Sequence, residues 1–275
     1  MKDRAVFDAH THAVSPDLDR FPRTAPSFPA AWLDDDPPSA NALEAALDAA
    51  GVAGAALVQP QGAYRFDNRY VLEAAAESPH LAPVVSIDMT DPQRAAVLAE
   101  SATAGAVGVR LFSIPTPEQS WLADPATFDV WELCRARSLV VSICCLPAEL
   151  EAVARVVRTF RDLPVVLDHC GFVDVVDGAG PLEPLVPLEN LHLKVTGHML
   201  HEAEQHGAVV SSVVETLAAM VGPSRLIWGS DWPQTGLSYT ESVSMARRAT
   251  TTLTAADAER VLGATAAQLY RRPLG

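Results

Sequence analysis

Eight short apolar runs recur along this chain, and stretches with apolar residues at helical spacing lie between most of them. That alternation constrains the fold more than any other feature. Strands that read as continuous apolar runs are buried on both faces, and helices are what cover a parallel sheet on its faces. After a first strand at Ala5–His12, the expected strands are Gly54–Pro60, Leu81–Asp88, Ala106–Phe112, Leu139–Cys145, Pro164–Gly171, Leu191–Gly197 and Leu226–Pro233. Helices are expected at Ala40–Ala50, Asn68–Glu77, Pro92–Thr103, Pro125–Arg137, Pro147–Arg161 and Ala208–Val221. Eight strands in 275 residues match a closed (β/α)8 TIM barrel, which takes roughly 250 residues. The expectation is therefore an α/β chain with one barrel domain over residues 1–275. No glycine-rich phosphate loop follows the first strand, which argues against an open dinucleotide-binding sheet.

Two segments interrupt the pattern. Asp17–Ser39, rich in Pro and Asp and containing Trp32, follows the first strand and would lie over the mouth of the barrel. Long loops without structure of their own are often lids or binding loops. Val173–Glu189, with Pro181, Pro184 and Pro187, replaces a helix after the sixth strand, since proline breaks helix interiors. The last stretch, Ser238–Leu274, reads as helices that seal the barrel.

A formal charge of −14 argues against nucleic acid and anionic membrane as partners, because both attract basic surface. A small-molecule substrate is the expected partner, and a homodimer the default assembly. No apolar run is long enough to span a bilayer, and nothing at the start reads as a leader. The four cysteines, Cys134, Cys144, Cys145 and Cys170, fall in predicted helix or strand and read as free thiols of a cytoplasmic protein.

Functional side chains of such barrels come from the C-terminal ends of the strands. Three of those ends are polar. In the first, period-two alternation puts Asp8, His10 and His12 on one face. The sixth finishes on His169 and the eighth on Asp231, on the faces of Leu167 and of Ile227 and Gly229. If His10 and His12 face the axis, His169 and Asp231 can converge on them. Three imidazoles and a carboxylate can hold Zn²⁺ with an open position for water. Alternatively the carboxylate serves as base to a water while the imidazoles polarise a carbonyl. Both arrangements suit hydrolysis of an acyl bond. Lys194 faces inward and needs an acid such as Asp8 or Asp88. Gln59 is a candidate substrate contact or an anchor for the mouth, and His198 and His201 read as surface loop residues.

The runs Phe7-Asp8-Ala9-His10-Thr11-His12, Leu167-Asp168-His169-Cys170-Gly171 and Ile227-Trp228-Gly229-Ser230-Asp231-Trp232-Pro233 resemble the amidohydrolase superfamily, in its branch of lactonases and decarboxylases, nearest the pyrone-dicarboxylate and sugar-lactone hydrolases. The resemblance implies that Asp231 activates water and then protonates the leaving oxygen. It implies that His10, His12 and His169 polarise the scissile carbonyl or, with Asp231, bind a divalent cation, zinc first. It makes Arg110 a contact for a substrate carboxylate through bidentate pairing. The expected activity is opening of a lactone or related cyclic ester of a small carboxylated molecule, with or without metal. The alternatives are a metal-dependent non-oxidative decarboxylase and a non-catalytic small-molecule-binding barrel. Departures are visible too. Metal-dependent relatives carry a histidine on strand five, and the pyrone-dicarboxylate type a tyrosine about where Ile143 stands. Here the strand reads Val140-Val141-Ser142-Ile143-Cys144-Cys145. Gly171-Phe172-Val173 replaces a Gly-Arg-Pro found in relatives, and Gln234 replaces a histidine.

Overall fold

The computed structural model describes residues 6–24, 31–34, 36–114 and 120–271. Ala5, part of the Asp17–Ser39 segment and Leu274 lie outside the described residues. Eight parallel strands follow one another around a single sheet in sequence order: β1 (Val6–Thr11), β2 (Val52–Val58), β3 (Leu81–Ser86), β4 (Gly108–Ser113), β5 (Val140–Cys145), β6 (Val165–Leu167), β7 (Leu191–Thr196) and β8 (Leu226–Gly229). The sheet closes where Thr11 bridges Trp232 in parallel, the His12 amide donating to the Trp232 carbonyl at 2.9 Å and the Asp231 amide to the His10 carbonyl at 2.9 Å. The fold is a (β/α)8 barrel.

Helices α1 (Ala40–Ala50), α2 (Gln61–Tyr64), α3 (Arg69–Ala76), α4 (Arg94–Thr103), α5 (Phe128–Arg137), α6 (Leu150–Thr159), α7 (Gly197–Gln205), α8 (Val210–Val221) and α9 (Tyr239–Ala249) surround the strands, and α10 (Ala255–Glu259) and α11 (Thr265–Leu269) follow. Their ends carry the signals that stop and start helices. Ser39 caps α1 by accepting from the Ala42 amide, and Gly51 closes it in the left-handed conformation. Ser238 and Glu241 form a reciprocal capping box on α9, satisfying amides that no helical carbonyl reaches. After β6, the segment with the three prolines forms one short 3-10 stretch, Gly180–Leu185, instead of a full helix. Among the described residues, no helix is long and apolar enough to cross a membrane.

Strand alternation divides the apolar residues into two layers. Ala55, Leu57, Val109, Leu111, Val141, Ile143, Leu191, Leu193 and Trp228 join the larger cluster against the helices. Ala56, Val58, Ala82, Val84, Val140, Val166 and Ile227 form a smaller cluster inside the barrel with Phe7 and Ala9. The C-terminal segment seals it: Ala266, Ala267 and Tyr270 belong to that inner cluster, and the Tyr270 ring stacks on Phe7 at 6.2 Å.

Four sequence expectations need correction. Alternation fails in β1, because Asp8 pairs with Ala55 and Thr11 with Leu57. Three steps on β1 oppose two on β2, so the strand bulges and its phase changes. Asp8 therefore points outward, its carboxylate accepting from the Tyr239 hydroxyl of α9 at 3.0 Å, while His10 and His12 point inward. The sixth strand is shorter than expected. It ends at Leu167, and His169, Cys170, Gly171 and Phe172 all have φ between 49° and 66°, so His169 sits on a turn and strand alternation does not place it. Asp231 likewise follows β8 in the left-handed region, at φ 57°. Beyond β7, where a loop was expected, α7 carries His198 and His201.

Candidate active site

Above the apolar floor the barrel carries a buried polar layer, built from one residue or two of each contributing strand end. Arg110 of β4, Cys144 of β5, Asp168 after β6, Lys194 and Thr196 of β7, and His10 and His12 are all at most 4% exposed. Ionisable groups so buried must be paired. Asp168 is the hub: Lys194 Nζ lies 2.7 Å from its Oδ1, and Arg110 Nε donates to Oδ2 at 2.8 Å. Lys194 thus pairs with Asp168 rather than with Asp8 or Asp88. Burial alone would raise the Asp168 pKa, but Lys194 and Arg110 hold it below the ordinary carboxylate value. Two cations share one carboxylate here, so this part of the layer is one charge positive.

The expected residues do converge. His10 Nε2 and His12 Nε2 stand 3.2 Å apart, and Asp231 Oδ1 lies 3.6 Å from the first and 3.5 Å from the second. His169 Nδ1 is 3.9 Å from Asp231 Oδ2 and 3.0 Å from the Thr196 hydroxyl. Burial alone would raise the Asp231 pKa, but the neighbouring His169, His12 and Arg110 bring it below its ordinary value, so it is ionised near neutrality. Burial lowers His10 well below the usual imidazole range and His169 to about 4, which keeps both neutral. Glycine makes the close approach of β8 to β1 possible. A Cβ on Gly229 would lie 2.6 Å from the His10 Cβ.

Hydrogen-bond partners orient the imidazoles. A carbonyl only accepts and an ammonium only donates. His12 Nδ1 therefore donates to the Val58 carbonyl at 2.8 Å, leaving its Nε2 lone pair to the cavity. Lys194 Nζ, 3.2 Å from His10 Nδ1, donates to that nitrogen, which puts the hydrogen of neutral His10 on Nε2. Arg110 Nη2 faces His169 Nε2 at 3.4 Å.

The donor spacing also fits a metal. Bonds of about 2.0–2.1 Å in a tetrahedron give edges of about 3.3–3.4 Å, close to the three separations among His10, His12 and Asp231. Three of the four expected ligands, His10, His12 and Asp231, form one candidate group, while the fourth, His169, groups instead with His10 and Asp168. An ion in the first would take the place of the His10 Nε2 hydrogen, with the His12 ring already held by Val58 as a ligating imidazole is.

The other candidates divide. Arg110 reaches the layer, but its Nε is engaged by Asp168 and its Nη2 by Cys144 Sγ at 3.2 Å, the salt-bridge arrangement an inward arginine often adopts. Gln59 anchors the mouth: its amide donates to the Asp67 and Arg65 carbonyls at 2.7 and 3.3 Å. His198 is exposed beside Glu202, away from the cluster. All four cysteines are buried and unpaired, and burial pushes the Cys144 thiol up to about 12, so it is no thiolate. Asp168 is the residue that sequence reasoning passed over; its only signal was its place beside His169 at a strand end. Two aromatic rings flank the histidines. Trp32, from the segment after β1, stacks on His12 at 6.1 Å, and Phe172 on His169 at 4.7 Å.

A (β/α)8 barrel with an H-x-H pair at the end of β1 and an aspartate after β8, meeting at the C-terminal mouth, is the architecture of a hydrolytic barrel enzyme. Residues 7–272 match the model of the amidohydrolase family, and the chain belongs to that family. It is 28% identical over 250 residues to an L-fucono-1,5-lactonase of Burkholderia ambifaria, covering 85% of this chain and 86% of that protein. A 4-sulfomuconolactone hydrolase of Rhizobium radiobacter is 25% identical over 249 residues, covering 85% and 77%. Among solved structures, one from Pseudomonas putida described as a 2-pyrone-4,6-dicarboxylic acid hydrolase superposes with a TM-score of 0.77, at 26% identity over 99% of both chains. Family and relatives together make the chain a hydrolase of lactonase type.

Proposed function

We propose that the chain opens a lactone or related cyclic ester of a small carboxylated molecule, with Asp231 as the base. The observation that carries this reading is the buried Asp231 carboxylate held against His10 and His12 at 3.6 and 3.5 Å. Asp231 takes a proton from water as the water oxygen bonds to the carbonyl carbon. Negative charge develops on the carbonyl oxygen, to which His10 Nε2–H, 3.2 Å from His12 Nε2 in the free chain, would donate. The surplus positive charge of Arg110, Lys194 and Asp168 favours that oxyanion electrostatically. The ring C–O bond then breaks, and Asp231 returns its proton to the departing oxygen, leaving a hydroxy acid. A carboxylate on the substrate would be drawn to the Arg110 side of the layer. Zinc or another divalent cation would be held by His10, His12 and Asp231, with His169 beside them, and would supply acidified water and carbonyl polarisation.

The experiment is turnover of a panel of γ- and δ-lactones by the wild-type chain and Asp231→Asn. Loss of a positioned base costs about 10²–10⁴-fold in rate, with the fold retained. Inertness of the wild-type chain towards every lactone, or an undiminished rate in Asp231→Asn, would overturn the reading. Metal content before and after chelation, by mass spectrometry, tests the cation: about one zinc per chain supports the His10–His12–Asp231 site, and full activity in chelated, metal-free protein removes it.

A further inference from the structure

Beside the histidines, the segment Phe172–Val176 and helix α7 enclose a groove of about 300 Å³, at the small end of ligand-site volumes. Phe172 lines it on the side of the histidines. The ring stacks on His169 at 4.7 Å yet is 38% exposed, and its φ of 54° is one that bulky residues rarely adopt. The sides are apolar: Val173, Val175 and Val176 on one, Met199 and Ala203 on the other. Val176 is 48% exposed. The rim holds Asp174 and Glu202 with His198 and His206, and no lysine or arginine lines the groove among the described residues. The groove therefore disfavours negative charge.

We propose that this groove receives an apolar, uncharged substituent of the lactone ring, an alkyl chain or an aryl group. The proposal rests on the lactonase reading. Continuity argues for it: the Phe172 ring stacks on a histidine of the reacting cluster, and the same residue lines the groove. A substituent leaving the lactone ring past His169 meets Phe172 and then a valine-lined wall. A carboxylate there would face Asp174 and Glu202 without a cation to pair with, and would lose its hydration for nothing in return. Burying alkyl groups against Phe172, Val176 and Met199 removes apolar surface from water on both partners.

The test uses δ-lactones bearing no substituent or an n-alkyl chain of one to six carbons, with the matching δ-lactams as non-reacting probes. In the wild-type chain, kcat/KM and lactam affinity should each rise by up to about fourfold per methylene over the first few carbons. Val176→Asp, on the exposed rim where folding tolerates a charge, should lower the ratio of hexyl to unsubstituted kcat/KM at least tenfold. Turnover and lactam binding that are both indifferent to chain length would overturn the groove and leave the lactonase reading intact. Lactam affinity that rises with chain length while no lactone is turned over would keep the groove and overturn the reaction. An unchanged ratio in a folded Val176→Asp protein would also overturn the proposal.

Discussion

Single residues decide whether this layer works, because each buried charge has a named partner. Asp8 shows the cost of such placement. Burial raises its pKa from 3.8 to about 6, against hydrogen bonds from Ser230, the His10 amide and Tyr239. Between those values the folded chain holds a proton that the unfolded chain has lost, so stability falls as pH rises from about 4 to about 6. The contribution is complete below the unfolded value and gone above the folded one. The gap is worth about 3 kcal/mol. Asp8→Asn should flatten that part of the stability–pH curve relative to wild type, as urea unfolding at pH 4, 5, 6 and 7 would show; an identical slope would refute the assignment. Lys194 gives a second prediction. Lys194→Met leaves the buried Asp168 carboxylate with Arg110 alone and frees His10 Nδ1. Breaking a buried pair costs about 3–5 kcal/mol, and the loss of midpoint should exceed that of Asp231→Asn. A Lys194→Met protein as stable as wild type would mean the ion pair is not formed.

At the scale of elements, the strands were legible because apolar runs between turn signals are what parallel strands require. Six of the helices, α1, α3, α4, α5, α6 and α8, were legible from their apolar spacing. What sequence could not show were changes of backbone phase. The β1 bulge moves Asp8 from the histidine face to the helix layer, and no residue type marks it. The left-handed run from His169 to Phe172 includes only one glycine, Gly171, so the pattern Leu167-Asp168-His169 read as continued strand. Helix α7 begins on a glycine and carries two exposed or half-exposed histidines, which made it look like loop. The site residues themselves were found at strand ends, whereas their partners, Asp168 for Lys194 and Thr196 for His169, needed the curvature of the barrel to be known. Gly229 tests the β1–β8 contact. Gly229→Ala forces a Cβ against His10, and overpacking of this kind costs about 1–3 kcal/mol; because the displaced residue is His10, kcat should fall more than thermal stability predicts. Wild-type kcat in the alanine variant would show that the two strands can separate without harm.

Across the whole molecule, the C-terminal plug fills the barrel beneath the polar layer, the Tyr270 hydroxyl lying 3.5 Å from that of Ser142 on β5. Tyr270 is fully buried at the sealed end, stacked on Phe7. Tyr270→Ala should lower unfolding free energy by about 3–5 kcal/mol while kcat/KM of the folded protein is unchanged; a large kinetic loss at full folding would mean that the plug reaches the mouth. The mouth is different, because it lies on the seam where the barrel closes. Ser230 and His10, which touch there, are 220 positions apart. A growing chain therefore emerges with its histidines first and must wait for nearly all the other strands before the carboxylate that completes them is made. Any proteolytic fragment lacking either edge strand carries half a site. Chemical competence arrives with closure of the ring, so assays of activity during synthesis or refolding would report the last step of assembly rather than the first.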